Sequence, residues 1–557
     1  MTTRRLPKNA LLMLICAPLL AAGVAVRIGS LSYGFPDVYY IDEDAVVESA
    51  LYTMTGDLDP HLYKYPHLVV NILALAFRAR LGIGFGAEPE SVSRAFVAYQ
   101  EDPHPITLLA RGIVLTLSLL AIPLTFFAGW TLWGFREGIL AATLLALSPL
   151  HVGLSRIARV DAPAASFVAA AILLSVWYHR SGRTRDLVGA GLAAGAAAGC
   201  KYFPGLIAVV PVLILWERGG AIGSRVRATL VVGVSSFAAF CASSPALIVG
   251  FRDSLPALLG LTRYVHETPF RDVPGQSTLL RFAPEIVRSS IGWGGWLCVL
   301  AFVVFAVARR TAATRAEIIT TLAYPLVLLC LFLRPEMFFP RFTVSAFPPL
   351  CLAAARGAAL IASREMWRGA AARIAPIIAP AGLVAASIPF LHDSAETALR
   401  TLRNEDTRVM ARKWIESNLP AEQPVLLQHR RLAPFFPTKQ LPFAHPPDEL
   451  LDRLAPFSPQ HEASLRAASG EAAAAVPGNA RAARYWGGRL ADGLRELGRD
   501  AAVVVSLQPG PPEKVRLREE DFATLENTHR RAAWFPGSGS DAFGPPIGVW
   551  IPKEDAP

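Results

Sequence analysis

Long apolar stretches recur along the chain from Leu11 to Leu391, and short polar gaps separate them. Several of these stretches approach the roughly 20 residues that an α-helix needs to cross a hydrocarbon core. The pattern predicts a polytopic α-helical membrane protein with about eleven transmembrane helices. The predicted helices cover residues 10–28, 106–130, 138–152, 162–178, 187–200, 203–216, 228–250, 291–308, 316–333, 342–362 and 373–391.

The first apolar stretch follows a basic N-terminus, which is also how a signal peptide begins. No convincing small-residue cleavage site precedes Asp42, so we interpret the stretch as a retained signal-anchor helix. The long gap that follows, residues 29–105, contains two apolar helical segments, Val46–Met54 and Leu68–Phe77. Both are too short to span a bilayer, and we expect them to lie at the membrane interface.

From about Asp393 onward the composition becomes typical of a soluble domain. Alternating and apolar runs in this region predict a small α/β fold. The predicted elements are helices Asp406–Leu419 and Ala482–Leu497 and strands Val425–Gln428, Ala501–Leu507 and Ile547–Ile551. We therefore expect a transmembrane module, residues 1–392, followed by a water-soluble domain, residues 393–557.

Composition supports this organisation, because 53% of the 557 residues are hydrophobic and only 18% are charged. The net charge of +10 does not indicate a nucleic-acid partner, since the basic residues are divided among short loops. If the N-terminus is cytoplasmic, nearly every cytoplasmic gap carries arginine, in agreement with the positive-inside rule. These arginines are Arg136, Arg180, Arg183, Arg185, Arg218, Arg225, Arg227, Arg309, Arg310, Arg315, Arg364, Arg368 and Arg373. An odd number of helices then places the C-terminal domain outside the cytoplasm.

An acidic cluster, Asp42 to Asp44, lies just beyond the first predicted helix, in a half of the chain where acidic residues are sparse. A carboxylate held there could act as a general base toward an attacking hydroxyl group. Alternatively, the cluster is a solvated start of the loop or a helix cap before Ala45. The sequence leaves both interpretations open.

Asp161 follows Arg156 and Arg159 and precedes Ala162 and Pro163 at the start of a predicted helix. Asp at the N-cap with proline in the first turn is an ordinary helix start, so a capping role is expected. The predicted topology places Asp161 on the same side of the membrane as Asp42. One carboxylate can serve both as a cap and as part of a site.

Several basic residues lie at the predicted extracytoplasmic ends of helices, where topology alone disfavours lysine and arginine. They are Arg156, Arg159, Lys201, Arg263, Arg334 and Arg341. A lipid-linked phosphate would explain them, because guanidinium and ammonium groups bind phosphate oxygens and stabilise a departing phosphate. The alternative is that these side chains only extend to lipid headgroups. Tyr202, beside Lys201, and His266 are weaker candidates for the same site.

Motifs that the sequence lacks narrow the choice of chemistry. It contains no Walker loop, no glycine-rich dinucleotide fingerprint after a strand and no His-Glu-x-x-His helix. Nucleotide-driven transport and zinc proteolysis are therefore disfavoured. The six cysteines lie in or beside apolar stretches with no spacing typical of disulfides or zinc knuckles.

The sequence resembles the membrane glycosyltransferases of the GT-C fold, in the branch that contains dolichyl-phosphate-mannose protein mannosyltransferases and bacterial aminoarabinose transferases. The resemblance covers most of residues 30–360. It is carried by Ile41–Glu43, Gly56–Pro60, Tyr63–Pro66, Ala146–His151, Ser155–Arg156, Arg159–Pro163 and Gly195–Tyr202, together with Arg341. Unlike the protein mannosyltransferases, this chain has its soluble domain after the last predicted helix and has no repeats of their MIR type between helices.

The resemblance implies an inverting glycosyltransferase, a hexosyl- or pentosyltransferase, with a polyprenyl-phosphate sugar donor. Asp42 would be the leading catalytic base, Glu43 its neighbour and Asp161 a second carboxylate that orders the loop or the acceptor. The donor phosphate would be bound by a set of residues that carry the family pattern. These are Lys201, Arg341, Arg159 and Tyr202.

The resemblance also implies a location in the plasma (inner) membrane, a role in the cell envelope, and contact with membrane lipids. The acceptor would be a glycan, lipid or protein hydroxyl group. No cofactor is required with certainty, although paired carboxylates could hold a divalent cation. The rival hypothesis, a secondary transporter or a flippase of a lipid-linked saccharide, predicts charges near the bilayer midplane and repeat symmetry, and the sequence shows neither. A receptor or scaffold would leave the loop carboxylates without a role.

Overall fold

The structure is a computed structural model, and it describes most of the membrane half and parts of the C-terminal half. The described ranges are 10–32, 43–54, 63–84, 103–260 apart from 253 and 257, 278–309, 312–333, 339–363, 407–420, 423–427, 483–485, 501–506, 519–535 and 547–553, with a few single positions between them. Some residues singled out from the sequence lie outside these ranges. They are Asp42, Arg263, His266, Arg334 and nearly all of the predicted helix 373–391.

Helices dominate the first two thirds of the chain. Helices α1 to α9 cover Ala10–Gly29, Glu43–Thr53, Leu68–Leu81, His104–Leu119, Ala121–Leu132, Phe135–Leu147, Pro149–Ser155, Asp161–Ser181 and Thr184–Cys200. Helices α10 to α17 cover Val209–Arg218, Ile222–Ser243, Pro245–Val249, Thr278–Ser289, Gly292–Arg309, Ala312–Ile318, Tyr324–Phe332 and Phe347–Ile361. Two 3-10 helices, Phe203–Ala208 and Pro340–Ala346, and a π-helical turn, Ile319–Ala323, interrupt this series.

Six helical stretches of the described part are long and apolar enough to cross a membrane, or up to eight if each of two bent pairs forms one span. The six are Leu12–Gly29, His104–Leu132, Asp161–Ser181, Ile222–Ser243, Arg315–Phe332 and Pro340–Ile361. The predicted spans 187–200 and 203–216 are largely helical but do not meet this test. The predicted total of about eleven transmembrane helices therefore stays a prediction.

Helix α11 illustrates how the sequence suits a lipid environment. Leu230, Val234 and Phe237 follow helical spacing and are more than half exposed, as residues that face hydrocarbon would be. The buried side of α11 packs against α9 through small residues. A Cβ atom added at Gly195 would lie 2.0 Å from the carbonyl oxygen of Ser236, so only glycine permits this approach.

Helices α6 and α7 meet at an angle of 63° between Leu147 and Pro149. Proline lacks a backbone N–H and disfavours a helical conformation in the preceding residue, and Ser148 accordingly has an extended ψ of 116°. The bend lets the chain turn from a long helix into a short one that ends at Ser155. The buried loop 156–160 then leads to Asp161, the first residue of α8.

The chain divides into two compact units. One comprises residues 1–31, 58–73 and 110–396, and the other comprises residues 32–57, 74–109 and 397–557. Within the second unit the C-terminal part contains helices α18, Thr407–Asn418, and α19, Glu519–Thr528. It also contains strands β1 to β5, which cover Val425–Leu427, Ala483–Tyr485, Ala502–Ser506, His529–Phe535 and Ile547–Pro552.

The five strands form one mixed sheet in the order β2-β1-β3-β5-β4. Strand β1 pairs in parallel with β2 and β3, whereas β5 pairs antiparallel with β3 and β4. Side chains alternate between the two faces of β1, so Leu427 packs with Ile415 of α18 while Leu426 packs with Leu490 and Leu525. The predicted α/β character of this region is confirmed.

One predicted element of this domain is wrong in part. The stretch Ala482–Leu497 is rich in residues that favour helices, but Ala483–Tyr485 form the edge strand β2. These three residues pair with Val425–Leu427, and strand pairing overrides the local preference. Leu490 and Leu494 are helical, so the second half of the prediction agrees with the structure where it is described.

Candidate functional site

The ammonium group of Lys201 donates a hydrogen bond to Asp161 Oδ1, and the two groups form a buried ion pair. Asp161 is the first residue of α8, while Lys201 directly follows α9 in extended conformation. Only 2% of Asp161 and 6% of Lys201 is exposed. The pair therefore fixes the start of one helix against the end of the next.

The position of Asp161 corrects one prediction from the sequence. We expected Asp161 to cap helix α8, but Val160 is the N-cap residue and no side chain bonds to the first turn. The carboxylate bonds to Lys201 instead. Its location in the first turn still suits the positive end of the helix dipole.

Three aromatic rings surround the ammonium group of Lys201. Its Nζ atom lies 4.2 Å from the ring centre of Phe342, 5.1 Å from that of Phe203 and 5.9 Å from that of Tyr65. Ring faces carry partial negative charge, so they favour a cation at these distances. Burial lowers the pKa of Lys201, while the Asp161 carboxylate acts in the opposite direction.

Two arginines extend the positive charge around this pair. Arg159 Nε lies 3.8 Å from Asp161 Oδ2, which accepts no hydrogen bond from a described residue. The charge of Arg341 acts on both Asp161 and Lys201, and its guanidinium lies 4.2 Å from the ring centre of Phe339 and 5.7 Å from that of Phe342. Three cations, Lys201, Arg159 and Arg341, thus act on the Asp161 carboxylate.

Tyr202 connects the same region to the first long loop. Its hydroxyl group donates to the carbonyl oxygen of Tyr63 at 2.9 Å. Tyr202 precedes the 3-10 helix Phe203–Ala208, whose first ring packs against Phe332 and Phe342. This hydrogen bond brings the Tyr63–Pro66 segment, which carried part of the family resemblance, next to the Lys201 cluster.

The structure therefore brings together four of the residues predicted from the sequence: Asp161, Arg159, Lys201 and Arg341. Glu43, the first residue of α2, is fully buried and belongs to the other compact unit. Asp42 lies outside the described residues. The sequence interpretation missed Phe342 and Phe203. Phe342 directly follows Arg341, and Phe203 lies two positions after Lys201, so an aromatic residue close to a predicted cation could have indicated both.

Asp161 is poorly suited to bind a divalent cation. Its Oδ1 atom is bonded to Lys201, and the positive charges of Arg159 and Arg341 would repel a metal ion. Among the described residues, no group of three or more His, Cys, Asp or Glu side chains could hold a metal ion. That paired carboxylates of this chain hold a divalent cation stays a prediction.

Comparison with known families supports the resemblance seen in the sequence. A model of the dolichyl-phosphate-mannose-protein mannosyltransferase family matches residues 110–248, which include Asp161, Lys201 and the bent pair α6–α7. A search of curated proteins found no match.

Comparison with solved structures addresses the whole chain. The crystal structure of ArnT from Cupriavidus metallidurans bound to undecaprenyl phosphate matches with a TM-score of 0.51 and 13% identity, over 98% of each chain. The chain has the GT-C fold. The predicted fold class, a multi-pass helical membrane protein followed by a domain with a small sheet, is therefore confirmed.

Further structures of the GT-C type match with lower scores. ArnT from Cupriavidus metallidurans in the apo state gives a TM-score of 0.47 and 13% identity, over 97% of this chain and 98% of that chain. The Archaeoglobus fulgidus oligosaccharyltransferase tethered with an acceptor peptide gives 0.48 and 12% identity, over 97% of this chain and 74% of that chain.

Proposed function

We propose that this GT-C protein is a glycosyltransferase that moves a sugar from a polyprenyl-phosphate carrier to a hydroxyl acceptor. The observation that carries the proposal is the cluster of Lys201, Arg159 and Arg341 around the buried Asp161 carboxylate. A group of three cations at the ends of membrane helices suits a phosphate attached to a lipid. The ArnT structure that shares this fold contains such a lipid, undecaprenyl phosphate.

The three cations differ in what they can offer a phosphate. Lys201 uses one of its three N–H donors on Asp161, so the ammonium has further donors for an oxygen ligand. Arg341 presents a planar guanidinium that is stacked on Phe339, and such a fork suits bidentate binding of phosphate oxygens. Arg159 adds positive charge from the loop before α8.

Within this proposal Asp161 is an ordering residue. Its carboxylate holds Lys201 and attracts Arg159, so it keeps two cations close to one another. Oδ1 is bonded to Lys201 and Oδ2 lies 3.8 Å from Arg159 Nε, so both oxygens face a cation, whereas a general base needs an oxygen free to accept a proton. The ion pair therefore favours the role that the family resemblance gave to Asp161, a second carboxylate that orders the site.

The reaction would be a single inverting displacement. An acceptor oxygen attacks the anomeric carbon of the sugar, the bond from that carbon to the phosphate oxygen breaks, and polyprenyl phosphate leaves. Asp42 takes the proton of the attacking hydroxyl group, with Glu43 as its neighbour in the sequence. The cations stabilise the charge that develops on the departing phosphate.

The family resemblance suggests the substrate classes. The sugar is a hexose or pentose, and the acceptor is a glycan, a lipid or a protein. The family that matches residues 110–248 is described as using dolichyl-phosphate mannose on proteins, which is one member of this class. The absence of repeats between the helices argues against a protein acceptor.

The proposed location is the plasma (inner) membrane, with the N-terminus in the cytoplasm. Residues 1–392 would form the transmembrane catalytic module, with residues 29–105 as its first extracytoplasmic loop. Residues 393–557 would form an extracytoplasmic domain. The distribution of arginine among the predicted cytoplasmic loops supports this orientation. No observation favours the rival transporter or flippase, because the charges of the proposed site lie at helix ends.

An assay with defined donors tests the proposal. Membranes that contain the chain are incubated with a panel of radiolabelled polyprenyl-phosphate sugars, and label is followed into lipid, glycan and protein fractions. We expect the wild-type protein to transfer sugar from at least one donor, and the Arg341→Ala variant to lose most of this activity. Arg315→Ala is the control and should keep full activity, because Arg315 is exposed and paired with Glu217. Transfer that is equal in membranes without the protein would refute the proposal.

A further inference from the structure

Arg27 is a fully buried cation in the membrane-spanning helix α1, and no described residue gives it an acidic partner. A charge in this environment is costly and is retained where it makes specific contacts. The guanidinium of Arg27 makes four of them. Nη1 donates to the carbonyl oxygens of Gly23 and Ala146 at 2.6 and 2.7 Å, Nε donates to Ser155 Oγ at 3.0 Å, and Nη2 contacts His151 Nδ1 at 3.0 Å.

The contact between Arg27 and His151 fixes the state of the imidazole ring. A guanidinium can only donate, so His151 Nδ1 must be the acceptor and the ring proton must be on Nε2. His151 is fully buried, and Nε2 has no hydrogen-bond partner among the described residues. In this arrangement His151 is neutral, and its Nδ1 atom accepts a hydrogen bond from the Arg27 guanidinium.

These contacts connect the end of α6 to the end of the short helix α7. Ala146 is among the last residues of α6, where helix carbonyls lack intrahelical partners, and Arg27 supplies one. Ser155 is the last residue of α7 and also donates to Val152 O at 3.0 Å. A helix of seven residues has little stability of its own. The hydrogen bonds of the Arg27 guanidinium therefore help to stabilise it.

The segment held by Arg27 leads directly into the proposed phosphate site. Only the loop 156–160 separates Ser155 from Asp161, and every residue of this loop is buried. A tight turn, in which Arg159 N donates to Ile157 O at 2.8 Å, leaves the loop little slack. Movement of Ser155 would therefore displace Arg159 and Asp161, and through Asp161 also Lys201.

We propose that Arg27 is a positioning residue for the donor site: it clamps the bend between α6 and α7 and so sets the place of Arg159 and Asp161. The inference rests on the proposed function for its kinetic consequence. Its structural part concerns residues 146–161 alone and is testable without any substrate. Arg27 does not itself touch the reacting groups in this proposal.

The test uses the full-length protein in detergent and the variants Arg27→Lys and Ser155→Ala. Arg27→Lys keeps the charge but cannot bridge four acceptors, and Ser155→Ala removes one acceptor and spares the guanidinium. Hydrogen exchange, followed by mass spectrometry, should rise at least about tenfold in peptides from residues 146–161 of Arg27→Lys and less in Ser155→Ala. Exchange in Arg315–Phe332 should not change.

The kinetic arm measures donor and acceptor dependence separately. We expect Arg27→Lys to raise the donor KM or lower kcat by at least about tenfold with little change in the acceptor KM. Combination with Ser155→Ala should give less than the sum of the two effects, because both act through the same contact. If Arg27 only stabilises the fold, Arg27→Lys should lower the amount of active protein. The donor and acceptor KM values of the protein that stays folded should then be unchanged.

Arg356→Lys is the matched control, since Arg356 also joins buried elements but contacts Glu137 and Glu317, at 3.5 Å each. Glu137 lies in the first turn of α6, about 14 Å along the helix from Ala146. Exchange in residues 146–161 and the donor KM should stay unchanged in this variant. Unchanged exchange in Arg27→Lys and Ser155→Ala would overturn the inference, as would raised exchange with wild-type kinetics. If the wild-type protein itself transfers no sugar, the proposed function is refuted. Raised exchange in Arg27→Lys would then still support the structural role of Arg27.

Discussion

Lys201 and Asp161 are 40 positions apart in the sequence, yet they form a buried ion pair that joins the end of α9 to the start of α8. Two buried charges with matched geometry compensate the cost of leaving water only while both are present. The pair also lies among aromatic rings, with Phe342 closest to the ammonium. The same two residues therefore contribute to stability and to the proposed phosphate site.

Removal of one member of this pair should destabilise the protein more than removal of both. Asp161→Asn leaves Lys201 as a buried cation without its counter-charge, and such a change costs about 3–5 kcal/mol. The double variant Asp161→Asn with Lys201→Met should recover most of this loss. Thermal unfolding of the detergent-solubilised protein measures the difference. A melting temperature for Asp161→Asn equal to that of wild type would contradict the pairing.

Asp42→Asn tests the proposed catalytic base. The substitution keeps the shape of the side chain and removes its basicity, so turnover should fall at least about a hundredfold. Binding of the donor lipid should change little, because the phosphate contacts are assigned to other residues. Glu43→Gln, measured in parallel, separates the two neighbouring carboxylates. Near-normal transfer by Asp42→Asn would show that another group is the base.

His529 should make the C-terminal sheet sensitive to acid. Its ring is buried at the start of β4, with Nε2 bonded to Ala501 O at 3.0 Å. Burial lowers the pKa of His529 below the ordinary value of 6.5, although the bond to Ala501 acts in the opposite direction. The contribution of neutral His529 to the free energy of unfolding is fully present above pH 6.5. It is lost as the pH falls through the lowered pKa, because the unfolded chain binds a proton more readily than the folded form does.

The slope should not exceed about 1.4 kcal/mol per pH unit for a single group. Hydrogen exchange in peptides of β3 and β4 of the full-length protein, corrected for the pH dependence of intrinsic exchange, measures this loss. His529→Gln retains an N–H donor for Ala501 and does not titrate, so its sheet should keep its protection at pH 5. Equal acid sensitivity of the two proteins would assign the effect to other groups.

The proposed orientation predicts the behaviour of reporter fusions. An enzyme that is active only outside the cytoplasm should be active when fused after Leu391 and silent when fused near Arg183. The reason is the excess of arginine in loops such as that between α8 and α9. The opposite pattern would place the proposed site on the cytoplasmic side.

The sequence predicted much of the site because its cations break a topological rule. Arg159, Lys201 and Arg341 lie where the positive-inside rule disfavours them, and they converge in the structure. Pattern alone could not predict the partner of Lys201, because that contact depends on how α8 packs against α9. The local spacing predicted that Asp161 caps α8. In the structure Asp161 instead bonds to Lys201, and Val160 is the N-cap residue.

Other features had no distinctive local signal. Arg27 lies near the end of the first apolar stretch, where a single arginine is expected to extend to lipid headgroups. Its burial follows from acceptors at Ala146 and Ser155, more than 100 positions away. Strand β2 was missed for a related reason, since Ala483–Tyr485 are extended only because β1 offers a parallel partner.

The most direct test of the account is whether the Lys201 cluster recognises the phosphate of the carrier lipid. Native mass spectrometry of the detergent-solubilised protein would compare binding of a polyprenyl phosphate with binding of the polyprenol of equal length. We expect wild type and Arg315→Ala to prefer the phosphate at least about tenfold, and Arg341→Ala to lose most of this preference, since charge-assisted contacts contribute about 1.5–3 kcal/mol each. Equal binding of the two lipids by wild type, or an undiminished preference in Arg341→Ala, would contradict the assignment of this cluster as the phosphate site.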